Sequence, residues 1–539
     1  MKRPPLLHPW LFALFPAVFL YQVNPAIFAP GVLLVPLTAS LALAAIAWFP
    51  LRAWIGHRNK AALALSFAIL ASFSFGVLRA SLVERTLRLG QLRVGAEGVA
   101  LLCGAAVFAL GLCLLLRARR ELNYLTAIAN VTALVLLLLS VGAIVTYKMR
   151  QRTAFQKRPP RQTLEILCGT PAAITEKPSV YFLILDAYGR SDVLRDVYQF
   201  DNHELTGFLR DRGFYVASAS YAGYMQTIFS LASSLNLDYV QNFAGEHAGR
   251  VDDRAPLLDA IRSSRLAALL GKQGYRTVAF STGLSATEVS GADRYLSRPW
   301  FLNDFEDALL VMTPLPAALA QVGISQYDLH RRRILYNLDR LPELARRPEP
   351  QFVFAHLLVP HPPFVFGENG EPVDPQRPFS LADADFLDRG GNRRIEYLRE
   401  YRRQAVFITH RIRQAIEEIL ANSVTPPIIV LQSDHGPGSL VQIRGSLQEN
   451  PCLQERFGIL NACLLPKRDY AGFYEAISPV NTWRLVVNKY FGTNCGRAPD
   501  ASYFSNWDQP YQFVDVTGKM GCAMEKLDDA PPTTRAAAP

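Results

Sequence analysis

The sequence predicts an α-helical membrane domain of about five spans, followed by an α/β domain with a mostly parallel central sheet. Three observations predict it. Half of the 539 residues are hydrophobic, and these crowd into the first 150 positions, in runs near the length that crosses ~30 Å of hydrocarbon. Beyond Pro178, short apolar runs rich in β-formers alternate with segments of helical period. The charge is also divided: residues 1–161 hold 18 Lys and Arg against 3 Asp and Glu, and the remainder 38 against 43.

The membrane elements come first. Spans are expected at 9–23, where Pro16 interrupts the run, and at 31–49, 62–79, 97–116 and 124–146. Lys2 and Arg3 precede the first span; Arg52, Arg58 and Lys60 follow the second; Arg117, Arg119 and Arg120 follow the fourth. The first outer loop, "NPAIFAP", carries no charge, while Arg85, Arg88 and Arg93 in the third loop oppose the trend. The bias puts the N-terminus inside, and an odd number of spans then exports everything after about 147. The basic excess is therefore topogenic and suits anionic lipid surfaces, and a nucleic-acid partner is excluded because the exported part is acidic. Cys103 and Cys113 lie in the fourth span. Cys168, Cys452, Cys463, Cys495 and Cys522 are exported, where disulfides are allowed, and an odd count leaves at least one thiol unpaired or paired elsewhere.

The chain divides into a membrane domain (1–147), a basic juxtamembrane linker (148–177), an α/β domain (178–524) and a tail of disordered composition (525–539). Within the α/β domain, "SVYFLIL" (179–185), "YRTVAFS" (275–281), "QFVFAHLLV" (351–359) and "PIIVLQS" (427–433) read as strands buried on both faces. Helical period marks 204–213, 257–274 and 396–420 between them. The alternation argues for parallel strands joined by helices.

In open α/β sheets ligands gather beyond the carboxyl ends of the strands. Asp186, His361 and the pair Asp434–His435 follow three of the four strands. Two carboxylates and an imidazole suit a divalent cation, with a position left open. Each residue alone has a plainer reading: Asp186 as a helix cap, "SDHG" as a turn, His361 as a loop histidine. Three strand ends together favour the metal. Thr227 in "YMQTIFSLASSLN" stands where a helix begins; it reads either as a cap or as a hydroxyl nucleophile activated by a metal and a helix N-terminus. Arg190 reads as solvated and His356 as a core residue.

Taken together and in order, "LILDAYGRSD", "YMQTIFSLASSLN", "HLLVPHPPF" and "VLQSDHG" resemble the sulfatase-like branch of the alkaline phosphatase superfamily. Five spans ahead of such a domain resemble lipoteichoic acid synthases and lipid A phosphoethanolamine transferases. The resemblance implies an alkaline-phosphatase-like fold, Asp186, Asp434 and His435 as ligands of one divalent metal, and Thr227 as metal-bound nucleophile. Zn²⁺ or Mn²⁺ is expected, with Mg²⁺ or Ca²⁺ as alternatives, and His361 would contact the substrate or leaving group. Three departures stand out. The first ligand is Asp where those transferases carry Glu; no C/S-x-P-x-R motif surrounds Thr227, which disfavours sulfate-ester hydrolysis; and no further histidine soon follows "SDHG", which argues against a second metal.

The expected function is that of a metal-dependent phosphotransferase in a bacterial inner membrane. It would move a phospholipid head group through Thr227 to an envelope glycan or lipid. The alternatives are a hydrolase of the same superfamily (phosphodiesterase, phosphatase or sulfuric-ester hydrolase) and an inactive membrane scaffold. The stretch 366–394 reads as a lid, an acceptor loop or a surface insertion.

Overall fold

The computed structural model describes residues 4–522 apart from 83–86, 90–91, 119–121, 157–163, 173, 244–252, 376–378 and 382–392. The tail from 525, Arg85, Arg119, Arg120, part of the linker and much of 366–394 therefore lie outside the described residues.

The apolar runs form helices α1 (His8–Val23), α2 (Leu34–Ile55), α3 (Arg58–Ser81), α4 (Ala96–Arg117) and α5 (Asn123–Gln156). Four helical stretches, 30–55, Arg58–Ser81, Glu97–Arg117 and Asn123–Thr153, are long and apolar enough to cross a membrane. The first expected span differs. Helix α1 has 16 residues with Pro16 inside, about 24 Å at 1.5 Å per residue, short of the ~30 Å core. It packs against α2, α3 and α5. Large apolar side chains such as Leu43, Ile46, Leu110 and Leu139 stay exposed, as a lipid-facing surface requires. Helix α5 runs on to Gln156, and α6 (Leu164–Cys168) is tied to the α/β domain by a Cys168–Cys495 disulfide. A second disulfide joins Cys452 to Cys522, and the odd thiol of this domain is Cys463, buried and free.

The α/β domain is built on a seven-stranded sheet: β1 (Val180–Leu185), β2 (Tyr215–Val216), β3 (Arg276–Phe280), β4 (Arg294–Leu296), β5 (Gln351–Leu357), β6 (Ile428–Gln432) and β7 (Asn461–Leu464), in the order β2-β7-β6-β1-β5-β3-β4. Four expected strands fill the centre, all parallel, and β7 runs antiparallel to β6 and β2 at one side. The short edge strands β2 and β4 carry too little periodicity to be read from sequence.

Every side chain of β1 is buried. Val180, Phe182 and Ile184 face a core shared with α8 (Thr227–Asn236) and the helix Pro479–Phe491, where Trp483 meets Phe182 edge-on. Tyr181, Leu183 and Leu185 face the opposite core. That core is closed by α7 (Ser191–Tyr198), α12 (Gln326–Leu344) and α13 (Arg393–Asn422). Each such side chain contributes about 2 kcal/mol through removal from water. The expected helix at 257–274 is instead two, α9 (Ala255–Arg262) and Arg265–Lys272, because the Ser264 hydroxyl accepts from the Ala267 N–H and starts the second.

The two domains meet through α10 (Asp304–Val311), followed by α11 (Leu315–Ala320). Phe305 and Leu309 pack with Ala17, Tyr21 and Phe28 in one cluster, with Phe28 edge-on to Phe305 at 4.9 Å. Gly76 of α3 donates its N–H to Met312 O at 2.9 Å. A Cβ at this glycine would lie 2.7 Å from Met312 Cα, so only glycine allows the approach.

Candidate metal centre

Parallel pairing sets Ile184 of β1 between His356 of β5 and Gln432 of β6. The residues just beyond, Asp186 and the pair Asp434–His435, therefore emerge side by side. Ala187 adopts a left-handed φ of 63°, a turn that costs about 1 kcal/mol for a residue with a Cβ. The turn is pinned: the Tyr401 hydroxyl of α13 donates to Ala187 O at 2.8 Å, and the Tyr188 N–H donates to Ser433 Oγ at 2.7 Å. After His435 the chain presses against the 455–458 segment. A Cβ at Gly436 would stand 2.1 Å from Glu455 O, so the glycine of "SDHG" is a packing necessity.

One atom from each of Asp186, Asp434 and His435 lies within 4.8 Å of the others. His435 Nε2 is 3.7 Å from Asp186 Oδ1, 3.3 Å from Asp434 Oδ2 and 3.0 Å from Thr227 Oγ1. The two carboxylates are used alike. Asp186 Oδ2 meets His356 Nε2 at 3.1 Å and Asp434 Oδ1 accepts the Ala187 N–H at 3.2 Å. Their other oxygens, Asp186 Oδ1 and Asp434 Oδ2, are buried with no hydrogen-bond partner. Burying an acceptor unsatisfied costs about 1–3 kcal/mol, more when charged. Two such oxygens turned toward one imidazole nitrogen mark a place for a cation.

The donor set also fits in chemistry and spacing. Ligands about 2.0–2.2 Å from a tetrahedral cation stand roughly 3.3–3.6 Å apart, close to the distances between His435 and the carboxylates. His435 Nδ1 lies 2.9 Å from Gly436 O. Donation from Nδ1 leaves the Nε2 lone pair facing the cluster, the usual arrangement for a ligating imidazole. Burial, then the Arg456 charge, lowers the His435 pKa against the pull of both carboxylates. Burial pushes the Asp186 carboxyl up, but the imidazoles of His361, His356 and His435 outweigh it and hold it well below the usual carboxylate range.

Thr227 is the first residue of α8, and the preceding Gln226 occupies the cap position. Its hydroxyl is thus at the helix N-terminus, pointed at His435, and does not serve as the cap. Asp186 does not cap the next helix either; Arg190 occupies that position ahead of α7. His361 is buried, with its ring centre 6.4 Å from that of His435 and its N–H donated to Asp186 O at 3.1 Å. Gln404 of α13 donates to Pro360 O and His361 O and accepts from the Val365 N–H, which fixes the loop.

One expectation is corrected and another holds with an added role. Arg190 is not solvated: it is 6% exposed, pairs with Asp192, donates to Ser220 O and lies over the Tyr221 ring. His356 is buried in the core, yet it holds Asp186 Oδ2 with one nitrogen and meets Thr287 Oγ1 at 3.1 Å with the other. A polar side chain inside an otherwise apolar strand needs a buried partner, and that was the signal available in "FVFAHLLV". Arg456 was also missed. Its Nη2 stands 3.1 Å from His435 Nε2, and its Nε and Nη1 donate to Met225 O and Gly436 O. It brings a permanent cation to the rim of the cluster.

No protein-family model matches the sequence, and neither does any curated protein. Solved structures do. The C-terminal periplasmic domain of EptC from Escherichia coli, in complex with Zn, is 14% identical, with a TM-score of 0.42 over 65% of this chain and 95% of that one. The integral membrane protein lipooligosaccharide phosphoethanolamine transferase A from Neisseria meningitidis is 12% identical, with a TM-score of 0.41 over 90% of this chain and 94% of that one. A 2-O GAG sulfatase, BT1596, is 12% identical, with a TM-score of 0.35 over 61% and 73%. These neighbours are enzymes, phosphoethanolamine transferases and a sulfatase.

Proposed function

We propose that the chain is a phosphotransferase of a bacterial inner membrane, anchored by its N-terminal apolar helices with its α/β domain outside the cytoplasm. It moves a phospho-head group from a membrane phospholipid to a glycan or lipid of the envelope. The observation that supports this reading best is the convergence of the Thr227 hydroxyl, His435 Nε2 and the two unsatisfied carboxylate oxygens at one point. Asp186, Asp434 and His435 would hold one divalent cation, Zn²⁺ or Mn²⁺, with Thr227 completing the set. Such a cation lowers the pKa of a hydroxyl and draws charge from phosphoryl oxygens.

The protein's own groups do the rest. The Thr227 oxygen, its proton already lost to solvent, forms a bond to the donor phosphorus as the bond from phosphorus to the diacylglycerol oxygen breaks. Arg456 faces the phosphoryl oxygens and offsets their charge. His361 supplies the departing oxygen with a proton. An acceptor hydroxyl then displaces the threonine from phosphorus, and the acceptor's proton is left to the same histidine. Two displacements predict ping-pong kinetics.

Intact mass spectrometry of the full chain from native membranes, beside Thr227→Ala, tests this. An adduct on the wild type alone is expected, with a mass that names the transferred group. A wild type that stays unmodified when metal and phospholipid are supplied would overturn the threonine intermediate.

A further inference from the structure

A crevice of about 600 Å³ lies between the first outer loop (25–30), the far end of α5 and helix α9. Residues of the reaction centre do not line it. Its α5 wall combines two kinds of surface. Helix α5 is 34 residues long, about 51 Å, so its last turns stand beyond a hydrocarbon core of ~30 Å. On the lining face Ile144 and Val145 come first, Lys148 and Met149 one turn on, and Arg152 a turn beyond. Lys148 and Arg152 are four residues apart and share that face. The wall therefore changes from apolar to cationic along the helix as it leaves the bilayer. Ile27 and Phe28 of the outer loop extend the apolar part. Across the crevice Arg262 of α9 adds a third cation, its Nε and Nη2 donating to Glu288 O and Ser285 O, carbonyls that accept its protons without cancelling its charge. Asp259 is the one carboxylate among the described lining residues.

We infer that this crevice is a binding site for a membrane glycerophospholipid, its phosphodiester held by Lys148, Arg152 and Arg262 and its glycerol and upper acyl chain lying on the apolar wall. Among the lining side chains three cations face one carboxylate, with Asp253 and Glu288 behind the wall, which favours an anionic group, and the apolar floor at bilayer depth selects one carrying a lipid tail. The site goes beyond the proposed reaction, and it stands at the joint between the domains. Beside it the Tyr147 hydroxyl of α5 donates to Asp253 Oδ1 at 3.0 Å, and Asp253 caps the turn into α9 through the Ala255 N–H. A bound lipid would brace that joint.

The test uses the full chain in detergent with phosphatidylglycerol, and native mass spectrometry as the readout. The wild type and Arg150→Gln, an exposed change on the same turns but outside the crevice, are expected to retain one lipid. Lys148→Gln/Arg152→Gln is expected to bind roughly 25-fold more weakly, about fivefold per charge removed. Asp259→Asn, which removes the opposing charge, is expected to bind a few-fold more tightly. Because the two variants move in opposite directions, general loss of fold does not mimic the result. Equal retention by the double variant and the wild type would overturn the assignment, as would retention of diacylglycerol, which has no phosphate, as firmly as phosphatidylglycerol.

Discussion

Two groups of acids in the α/β domain are used in opposite ways. Asp186 and Asp434 each have one oxygen bound and one left without a partner, and imidazoles hold Asp186 below the usual carboxylate range. Asp304 and Asp307 lie in the first turn of α10, where the helix dipole favours negative charge and Asn303 and Glu306 form a capping box. One oxygen of each is engaged and neither leaves a buried oxygen without a partner: Asp304 Oδ1 accepts from the Ser285 and Phe305 N–H groups, and Asp307 Oδ1 accepts from Gln326 Nε2 at 2.7 Å. Burial nevertheless pushes both carboxyls up to about 6. Burial alone does not make a carboxylate a ligand. Unused oxygens that share a focus with an imidazole suit one, and an engaged pair at a helix start does not.

The sharpest way to break this contrast is to neutralise one acid in each group. Asp434→Asn is expected to lower metal affinity by well over ~100-fold, more than the ~10–100-fold usual for loss of an outer partner. Asp307→Asn is expected to leave metal content unchanged. Elemental analysis of the two purified variants decides; equal metal content in both would remove the distinction.

A smaller effect tests how the first group is held. His356→Gln keeps a donor near Asp186 Oδ2 but loses the ring that spans to Thr287. Metal affinity is expected to fall by about 10–100-fold while Thr227 can still be modified at saturating metal. Titration with a competing chelator measures it, and unchanged affinity would make His356 a plain core residue.

How much of this was legible depended on whether the signal was local. The four central strands were readable because strands buried on both faces are continuous apolar runs, and the strand-end rule then named Asp186, Asp434, His435 and His361 without any contact being known. Thr227 was readable as a helix start, but not its approach to His435, which is 208 residues away. Arg456 was not singled out, because its role comes from side-chain hydrogen bonds to Met225 O and Gly436 O, 231 and 20 residues away. The acids of α10 were not singled out in the sequence. Only the packing of Phe305 and Leu309 against Tyr21 and Phe28 makes their surroundings dry.

The last difference between the groups is in pH. A carboxyl whose folded pKa is raised binds its proton more tightly folded than unfolded, so it takes stability away as pH rises from the unfolded value, about 4, through the folded value, about 6. Below pH 4 Asp307 is protonated in both states and contributes nothing; above 6 it is ionised in both and the full cost stands. A shift of this size corresponds to up to about 3 kcal/mol. Asp307→Asn is neutral throughout and keeps an oxygen for Gln326. The variant should therefore match the wild type near pH 4, gain on it between 4 and 6, and stay more stable by a constant margin above 6. Denaturant unfolding of the two proteins in the same detergent across that range reads the margin directly. A margin that shrinks as pH rises would mean that Asp307 is held as a stabilising anion, most simply through Arg333, whose charge opposes the burial effect at that site, and the two acid groups would then be alike.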